Sequence, residues 1–285
     1  MRVEDHRDWT RRDVLAAGLA AAGALTLGSL GVRAQPPDDP AAGPFKLGIQ
    51  SYSLRGYPKL DDALARTKEL GLGYWEAYPA HIPVSADPAA LAAAKATAES
   101  AGVRVIGYGV IKFTKDADKN RPYFEFARAM GIGYLSADPD PDSFETLDKL
   151  VDEYKIPIGI HNHGPGHRYD KIDTIQAAIK DHHPLVGVCN DTGHFLRSRE
   201  DPVRAVEVFG KRTYGVHLKD VKDATTFTVL GAGDLRLADL LKALAAIRYS
   251  YAVAIEYEEN PKDPIAEIQA CLAAYRKAVA TLPTS

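Results

Sequence analysis

Imidazole and carboxylate side chains close four short apolar runs in the C-terminal half of this chain. Ile158-Gly-Ile-His-Asn-His163 comes first, then Val186-Gly-Val-Cys-Asn-Asp-Thr-Gly-His194. Val216-His-Leu-Lys-Asp220 and Ala252-Val-Ala-Ile-Glu256 follow. Short apolar runs of this kind read as buried strands, which ordinarily end in turn residues. Here they end in groups that bind metals and move protons, at intervals of roughly thirty residues, the length of one strand–helix repeat. One shared site, where parallel strands converge, explains the pattern. Asp191, His217 and Glu256 end three of the runs, and His161 and His163 end the other. Glu76, in Trp75-Glu76-Ala77-Tyr78, holds a similar place on an earlier run. A nitrogen and oxygen donor set of this kind suits one divalent ion such as Mn²⁺, Zn²⁺, Co²⁺ or Mg²⁺, and the sequence does not choose among them.

The elements that must position these groups alternate regularly. Apolar runs at 45–50, 74–78, 103–109, 133–137, 156–161, 186–190, 213–218 and 251–256 are separated by helical patterns. Leu60, Ala63, Leu64, Thr67 and Leu70 form one helical stripe, closed by Gly71. Leu235, Leu237, Leu240, Leu241 and Leu244 form another. Eight strand–helix repeats predict a parallel sheet covered by helices, in an α/β fold. An open doubly wound sheet would carry a glycine-rich nucleotide turn after its first strand. The first run leads instead into Gln50-Ser-Tyr-Ser-Leu-Arg55. Chemistry at the C-terminal ends of several strands favours the closed (β/α)8 TIM barrel. Alternate residues of a barrel strand face inward, so both His161 and His163 are candidates for the strand-five ligand.

Composition narrows the partners. The chain has 285 residues, 46% hydrophobic and 26% charged, with a net charge of −3. That balance lacks the basic stripe of a nucleic-acid surface and suits a small polar metabolite. Thr10-Arg11-Arg12-Asp13-Val14-Leu15, a short Ala/Gly-rich apolar run and Val32-Arg33-Ala34 read as a twin-arginine signal peptide over residues 1–34. Periplasmic or secreted localisation follows. A linker over 35–44 and a barrel over 45–285 complete the organisation, and the barrel matches the usual length of about 250 residues. No other stretch is apolar enough to span a membrane, so no stable span remains after cleavage. Cys189 and Cys271 read as buried thiols rather than a disulfide framework. Assembly into a homo-oligomer is compatible with the sequence and not specified by it.

The Asp191-Thr-Gly-His194 and His217-Leu-Lys-Asp220 boxes, with a last strand ending in Glu256, resemble the xylose isomerase-like barrels. That superfamily includes sugar phosphate isomerases and epimerases, hydroxypyruvate isomerase, inosose dehydratase and, more distantly, endonuclease IV. His217-Leu-Lys-Asp-Val-Lys222 followed by Phe227-Thr-Val-Leu-Gly-Ala-Gly-Asp234 is most similar to the inosose dehydratase branch. The resemblance implies a metal held by Asp191, His217, Glu256 and the residue ending strand five. Many members place Glu there, in Glu-Asn-His, whereas this chain has His161-Asn162-His163. In the 3-epimerases two opposed glutamates exchange protons with opposite faces of a sugar carbon. Imidazole at 161 removes that symmetry.

The implied chemistry is proton abstraction beside a carbonyl, with a divalent ion stabilising the enediolate. Glu256 or Glu76 would be the base, and His163 or His194 would deliver a proton or orient a hydroxyl. Lys219 would neutralise oxyanion charge or pair with a carboxylate. Trp75, Tyr52 and Tyr108 are candidates to stack on a sugar face. His167, His182 and His183, in loop or helix-end positions, are expected in solvent. The Gly231-Ala-Gly-Asp234 loop sits where barrels often bind phosphate, but Arg236 is its one basic neighbour, which points to a non-phosphorylated sugar or cyclitol. A metal-dependent isomerase or epimerase leads these readings. A dehydratase using the same proton abstraction is the alternative, and a non-catalytic sugar-binding barrel the second. The sequence opposes an endonuclease, which would need a larger ligand set and a basic surface.

Overall fold

The computed structural model describes residues 40–283; the expected signal peptide and most of the linker lie outside them. Eight parallel strands close into a barrel in the order β1-β10-β7-β6-β5-β4-β3-β2. The strands are β1 (Lys46–Gln50), β2 (Tyr74–Ala77), β3 (Arg104–Ile111), β4 (Tyr134–Ala137), β5 (Ile158–His161), β6 (Val186–Asp191), β7 (Thr213–Leu218) and β10 (Ala252–Ile255). Each starts and ends within two residues of its expected bounds. No helix among the described residues is long and apolar enough to cross a membrane.

Helices α1 (Leu60–Glu69), α2 (Pro88–Ser100), α3 (Ala117–Met130), α4 (Phe144–Tyr154), α5 (Ile172–Ile179), α6 (Thr192–Arg197), α7 (Pro202–Phe209), α8 (Leu237–Ala246) and α9 (Ile265–Val279) connect the strands. Their sequences explain them. Helix α1 opens with Asp61 and Asp62 and closes with Arg66 and Lys68, matching charge to the helix dipole. Gly71 then adopts φ 72°, and the Leu72 amide bonds back to the Thr67 carbonyl at 3.1 Å. Helix α4 buries Phe144, Leu147, Leu150, Val151 and Tyr154, a continuous stripe against the sheet.

The barrel interior has two layers. Toward the N-terminal ends, Tyr134, Tyr214 and Ala252 pack with Tyr251, whose ring lies 5.3–5.8 Å from the two tyrosine rings. Polar groups fill the C-terminal ends. Asp191 pairs in register with His217 and Ile255 with Leu218, so the boxes stand side by side.

One element departs from expectation. After β7 the chain makes an antiparallel hairpin, β8 (Asp220–Lys222) with β9 (Thr226–Thr228). Its turn places Asp223 and Ala224 both at φ 55°, with the Thr225 amide bonded to the Lys222 carbonyl at 3.1 Å. A turn of this hand usually carries Asn-Gly or Asp-Gly. Asp-Ala gives no such signal.

Candidate active site

Four side chains converge at the C-terminal mouth: His161, Asp191, His217 and Glu256, whose donor atoms all lie within 4.8 Å of one another. His217 Nδ1 is 2.9 Å from Glu256 Oε2, 3.1 Å from His161 Nε2 and 3.9 Å from Asp191 Oδ2. His161 Nε2 is 3.3 Å from Asp191 Oδ2. The strand-five position in this cluster is therefore His161. His163 lies to one side, its ring 4.7 Å from that of His161.

The sequence boxes hold this geometry by interlocking bonds between strand ends. Asp191 caps α6, its Oδ1 accepting from the His194 amide at 2.8 Å, which leaves Oδ2 for the cluster. Asn162 clamps β5 to β6: its amide group donates to the Asp191 carbonyl and its oxygen accepts from the Asp191 amide, both at 2.8 Å. Thr192 ties β6 to β7, donating to the Lys219 carbonyl at 2.6 Å and accepting from the Lys219 amide at 2.9 Å. Gly193 completes the box, because a Cβ there would stand 2.7–2.9 Å from the Lys219 side chain.

Beneath the cluster, His217 Nε2 meets Glu76 Oε2 at 2.8 Å. Glu76 is wholly buried. Its Oε2 also accepts from Tyr134 at 2.5 Å, and its Oε1 accepts from Gln50 at 2.9 Å and Ser136 at 2.5 Å. Burial alone would raise the Glu76 carboxyl, but His217 and the Ser136 and Tyr134 hydroxyls hold it below its ordinary range. A carboxylate so occupied does not face a substrate. The expectation that Glu76 is a base at the mouth fails for that reason; it fixes the ring of His217 and holds the proton on its Nε2.

Charge in the cluster is unbalanced. Lys219 Nζ lies 2.9 Å from Asp191 Oδ2 and 3.2 Å from Glu256 Oε2, and donates to Glu258 Oε1. Burial disfavours the Lys219 ammonium, but Asp191, Glu256 and Glu258 outweigh it and raise its pKa above lysine's ordinary value. Burial likewise opposes ionised Asp191 and Glu256. Lys219 above all holds Asp191 well below the usual range, and Lys219 and His217 bring Glu256 to about 2. Burial also opposes the His217 imidazolium, whose pKa Cys189, Glu76 and Glu256 nevertheless raise well above the ordinary value. Burial pushes the Cys189 thiol itself to about 12, so at neutral pH it is uncharged and the carboxylates carry the effect. Four carboxylates, Glu76, Asp191, Glu256 and Glu258, thus surround two cations, His217 and Lys219.

This donor set fits a divalent ion. Asp191 Oδ2 and Glu256 Oε2 are buried and receive no aligned hydrogen bond, despite the nearby nitrogens. Two imidazoles, two carboxylates and a negative excess are what such an ion requires.

Other expected residues divide. His194 flanks the cluster, 5.9 Å from the His161 ring. Its Nδ1 faces Arg197 Nη1 at 3.3 Å. Arginine only donates, so His194 carries its proton on Nε2. Burial lowers its pKa to about 4 and keeps it neutral. Burial, with His161, His167 and His194 nearby, lowers His163 to about 3. Trp75 and Tyr108, expected to meet a sugar, are core residues instead. Both are fully buried, Trp75 donating to Thr67 Oγ1 at 2.8 Å and Tyr108 to the Ile82 carbonyl at 2.9 Å. Glu76 points into the barrel, so its neighbour Trp75 must point out. Tyr52 is half-buried after β1, with Arg55 4.4 Å above its ring. Phe227, unmarked in the sequence, is carried by the unexpected hairpin 5.6 Å from the His194 ring and 5.4 Å from Lys219 Nζ. Gln50, Tyr134, Ser136 and Glu258 are likewise unmarked in the sequence. His167, His182 and His183 are half-buried rather than free in solvent.

The glycine loop is already filled. Buried Asp220 accepts from the amides of Val221, Gly231, Gly233 and Leu235 at 2.8–3.1 Å. The loop's amides bind the protein's own carboxylate, and Gly233 allows the approach, since a Cβ would meet Asp220 Oδ1 at 2.4 Å.

The profile of the xylose isomerase-like TIM barrel family matches residues 64–275. An inosose dehydratase of Clostridium botulinum is 29% identical over 135 residues, covering 40% of this chain and 45% of that protein. One from Clostridium tetani is 28% identical with the same coverage. The chain thus spans less than half the length of these curated relatives. Among solved structures, a putative uncharacterized protein of Parabacteroides distasonis superposes with TM-score 0.64 at 26% identity, covering 82% of this chain and 99% of that one. The 3-keto-D-glucoside 4-epimerase of E. coli gives TM-score 0.65 at 16% identity with the same coverage, a likeness of fold.

Proposed function

Because the chain belongs to the xylose isomerase-like TIM barrel family, we propose that it is a divalent-metal-dependent isomerase or epimerase. Its substrate would be a non-phosphorylated keto-sugar or similar polyol, acted on by removal of a proton beside the carbonyl. The convergence of His161, Asp191, His217 and Glu256 around one point carries this reading. A divalent ion held there would act as a Lewis acid on the substrate carbonyl and a neighbouring hydroxyl.

The protein's own groups have separable tasks. Glu76 holds Nε2 of His217 and so aims Nδ1 at the cluster. Glu256, ionised at the rim of the buried site, is the proton acceptor. Lys219 stands over Asp191 and Glu256 and offsets negative charge as it builds on the substrate oxygen. His194, neutral with its proton on Nε2, donates to a substrate hydroxyl. Phe227 supplies the apolar face on which a sugar ring stacks. The carboxylate of Asp220 occupies the amides of the Gly231–Gly233 loop, which supports a substrate without phosphate.

A dehydratase is the second reading, and one observation favours it. Elimination needs one carboxylate base and an acid for the leaving hydroxyl, and His161 stands where a second glutamate would make the site symmetric. Both readings predict solvent deuterium incorporation into a panel of keto-sugars and inososes, lost in Glu256→Gln. Net loss of water with an enone absorbance would select elimination. Protein purified without chelator that neither contains nor takes up a divalent ion would defeat both readings in favour of a binding barrel. We propose export by the twin-arginine route from residues 10–34. Lysine at both Arg11 and Arg12 should retain the precursor inside the cell, and normal export of that variant would end the idea.

A further inference from the structure

We propose that Asp138, His163 and His167 form a second cation site, suited to a borderline divalent ion such as Zn²⁺ or Co²⁺. The site shares no ligand with the cluster of His161, Asp191, His217 and Glu256. Donor atoms of the three side chains lie within 4.8 Å of one another. Asp138 Oδ1, His163 Nδ1 and His167 Nδ1 are each buried and without a hydrogen-bond partner. Partnerless buried polar atoms are rare in folded proteins, and one on each of three side chains whose donor atoms converge asks for a shared ligand. Direct pairing does not remove the need: His167 Nε2 stands 3.9 Å from Asp138 Oδ2, beyond hydrogen-bonding range.

The backbone builds this meeting point. Asp138 follows β4, its amide held by the Ile111 carbonyl at 2.8 Å. Loop 164–170, after β5, is pinned against it. The Pro139 carbonyl accepts from Tyr169 at 2.8 Å and from Arg168 at 3.2 Å, while the Gly166 amide bonds Asp170 Oδ2 at 2.9 Å. The His163 and His167 rings are thereby brought to 4.2 Å. A tetrahedral ion with bonds of about 2.0–2.1 Å spaces its donors roughly 3.4 Å apart, so small side-chain rotations complete the set. Three protein donors at a partly open position leave a coordination place for water or substrate. The rings of His161 and His163 are 4.7 Å apart, which makes the two sites neighbours at one mouth.

The test counts ions in the full chain by plasma mass spectrometry after saturation with Co²⁺ and gel filtration, with calorimetry as a second count. Wild type should hold two ions. Asp138→Asn and His167→Gln, made separately, should each lose one, and a variant combining Asp191→Asn with His217→Gln should lose the other. A single wild-type ion that survives Asp138→Asn and His167→Gln but is lost with Asp191 and His217 would overturn this site and leave the proposed function standing. A single ion lost with His167 but kept without Asp191 and His217 would do the reverse. No ion in the wild type, or two ions untouched by Asp138→Asn and His167→Gln, would also overturn it. Thermal melting of each variant separates lost ligation from lost folding, and the wild-type count decides even where a variant fails to fold.

Discussion

Replacing Glu76 by Gln keeps the shape beneath His217 and removes the charge. The carboxylate takes two donors on each oxygen: Tyr134 and His217 on Oε2, Gln50 and Ser136 on Oε1. An amide turns one oxygen into a donor, so one pair of hydrogen bonds meets N–H with N–H or O–H. A buried group left unsatisfied costs about 1–3 kcal/mol. For a domain of this size that is a drop of roughly 2–12 °C in melting temperature. The larger consequence falls on the metal. Loss of the carboxylate behind a ligating histidine typically lowers affinity about 10–100-fold, or roughly 1.4–2.8 kcal/mol.

Protons report the same contact independently. In the metal-free protein, Glu76 and Glu256 help keep His217 protonated at neutral pH. An ion entering at Nδ1 must displace that proton, so wild type should release about one proton per ion at pH 7. Because the proton competes with the ion, apparent affinity should fall as pH falls, about tenfold per unit between pH 7 and 6. In Glu76→Gln the release should shrink toward the quarter of a proton that an imidazole of ordinary pKa, about 6.5, carries at pH 7. Titration calorimetry with Mn²⁺ in buffers of different ionisation enthalpy measures affinity and proton release together. A folded Glu76→Gln that binds Mn²⁺ as tightly as wild type, with the same proton release, would refute the positioning role.

Lys219→Met should destabilise the metal-free protein by about 3–5 kcal/mol at pH 7, because it strands two buried carboxylates. Asp191 and Glu256 have depressed folded-state pKa values. The stability they contribute is therefore full above the ordinary carboxylate range and lost as pH falls from about 4.5 toward 2. The gap in melting temperature between variant and wild type should narrow at pH 3, and a constant gap would refute the pairing. Asp220→Ala should cost several kcal/mol, since four backbone amides lose one acceptor at about 1–3 kcal/mol each; an unchanged denaturant midpoint would show the loop holds itself. Burial pushes Cys189 to about 12 and Cys271 to about 11. Neither thiol should react with a disulfide reagent at pH 8 until the protein unfolds, and fast native labelling of either would contradict its burial.

The barrel and the four convergent residues were legible because both rest on periodicity. Eight apolar runs separated by helical stripes leave few topologies, and a parallel barrel gathers strand ends at one mouth. Side-chain parity was equally legible for Trp75. Inward Glu76 forces Trp75 outward; for Tyr108 the parity shows only in the structure, where the Tyr134 ring packs against Gly107 inside the barrel. The hairpin carrying Phe227 was not legible, because its turn puts Ala224, where glycine is usual, at φ 55° beside Asp223. Nor was the occupant of the glycine loop. A nest of amides looks the same in sequence whether it awaits a phosphate or holds Asp220 eleven residues upstream of Gly231.

Asp191 shows why these boxes must be read as units. Its Oδ1 closes a helix and its backbone closes Asn162, so only Oδ2 is left for the mouth. Thr192 fixes the Lys219 backbone while Gly193 makes room for the Lys219 side chain, which returns to Asp191 Oδ2. The loop from Asp191 through Thr192 and Lys219 back to Asp191 means that no member moves alone. A buried ammonium held this way is a fixed positive charge that no solvent rearrangement can remove. In the proposed reaction an oxyanion forming at the mouth would meet that charge without waiting for the protein to reorganise, which is the condition under which electrostatics accelerates a reaction.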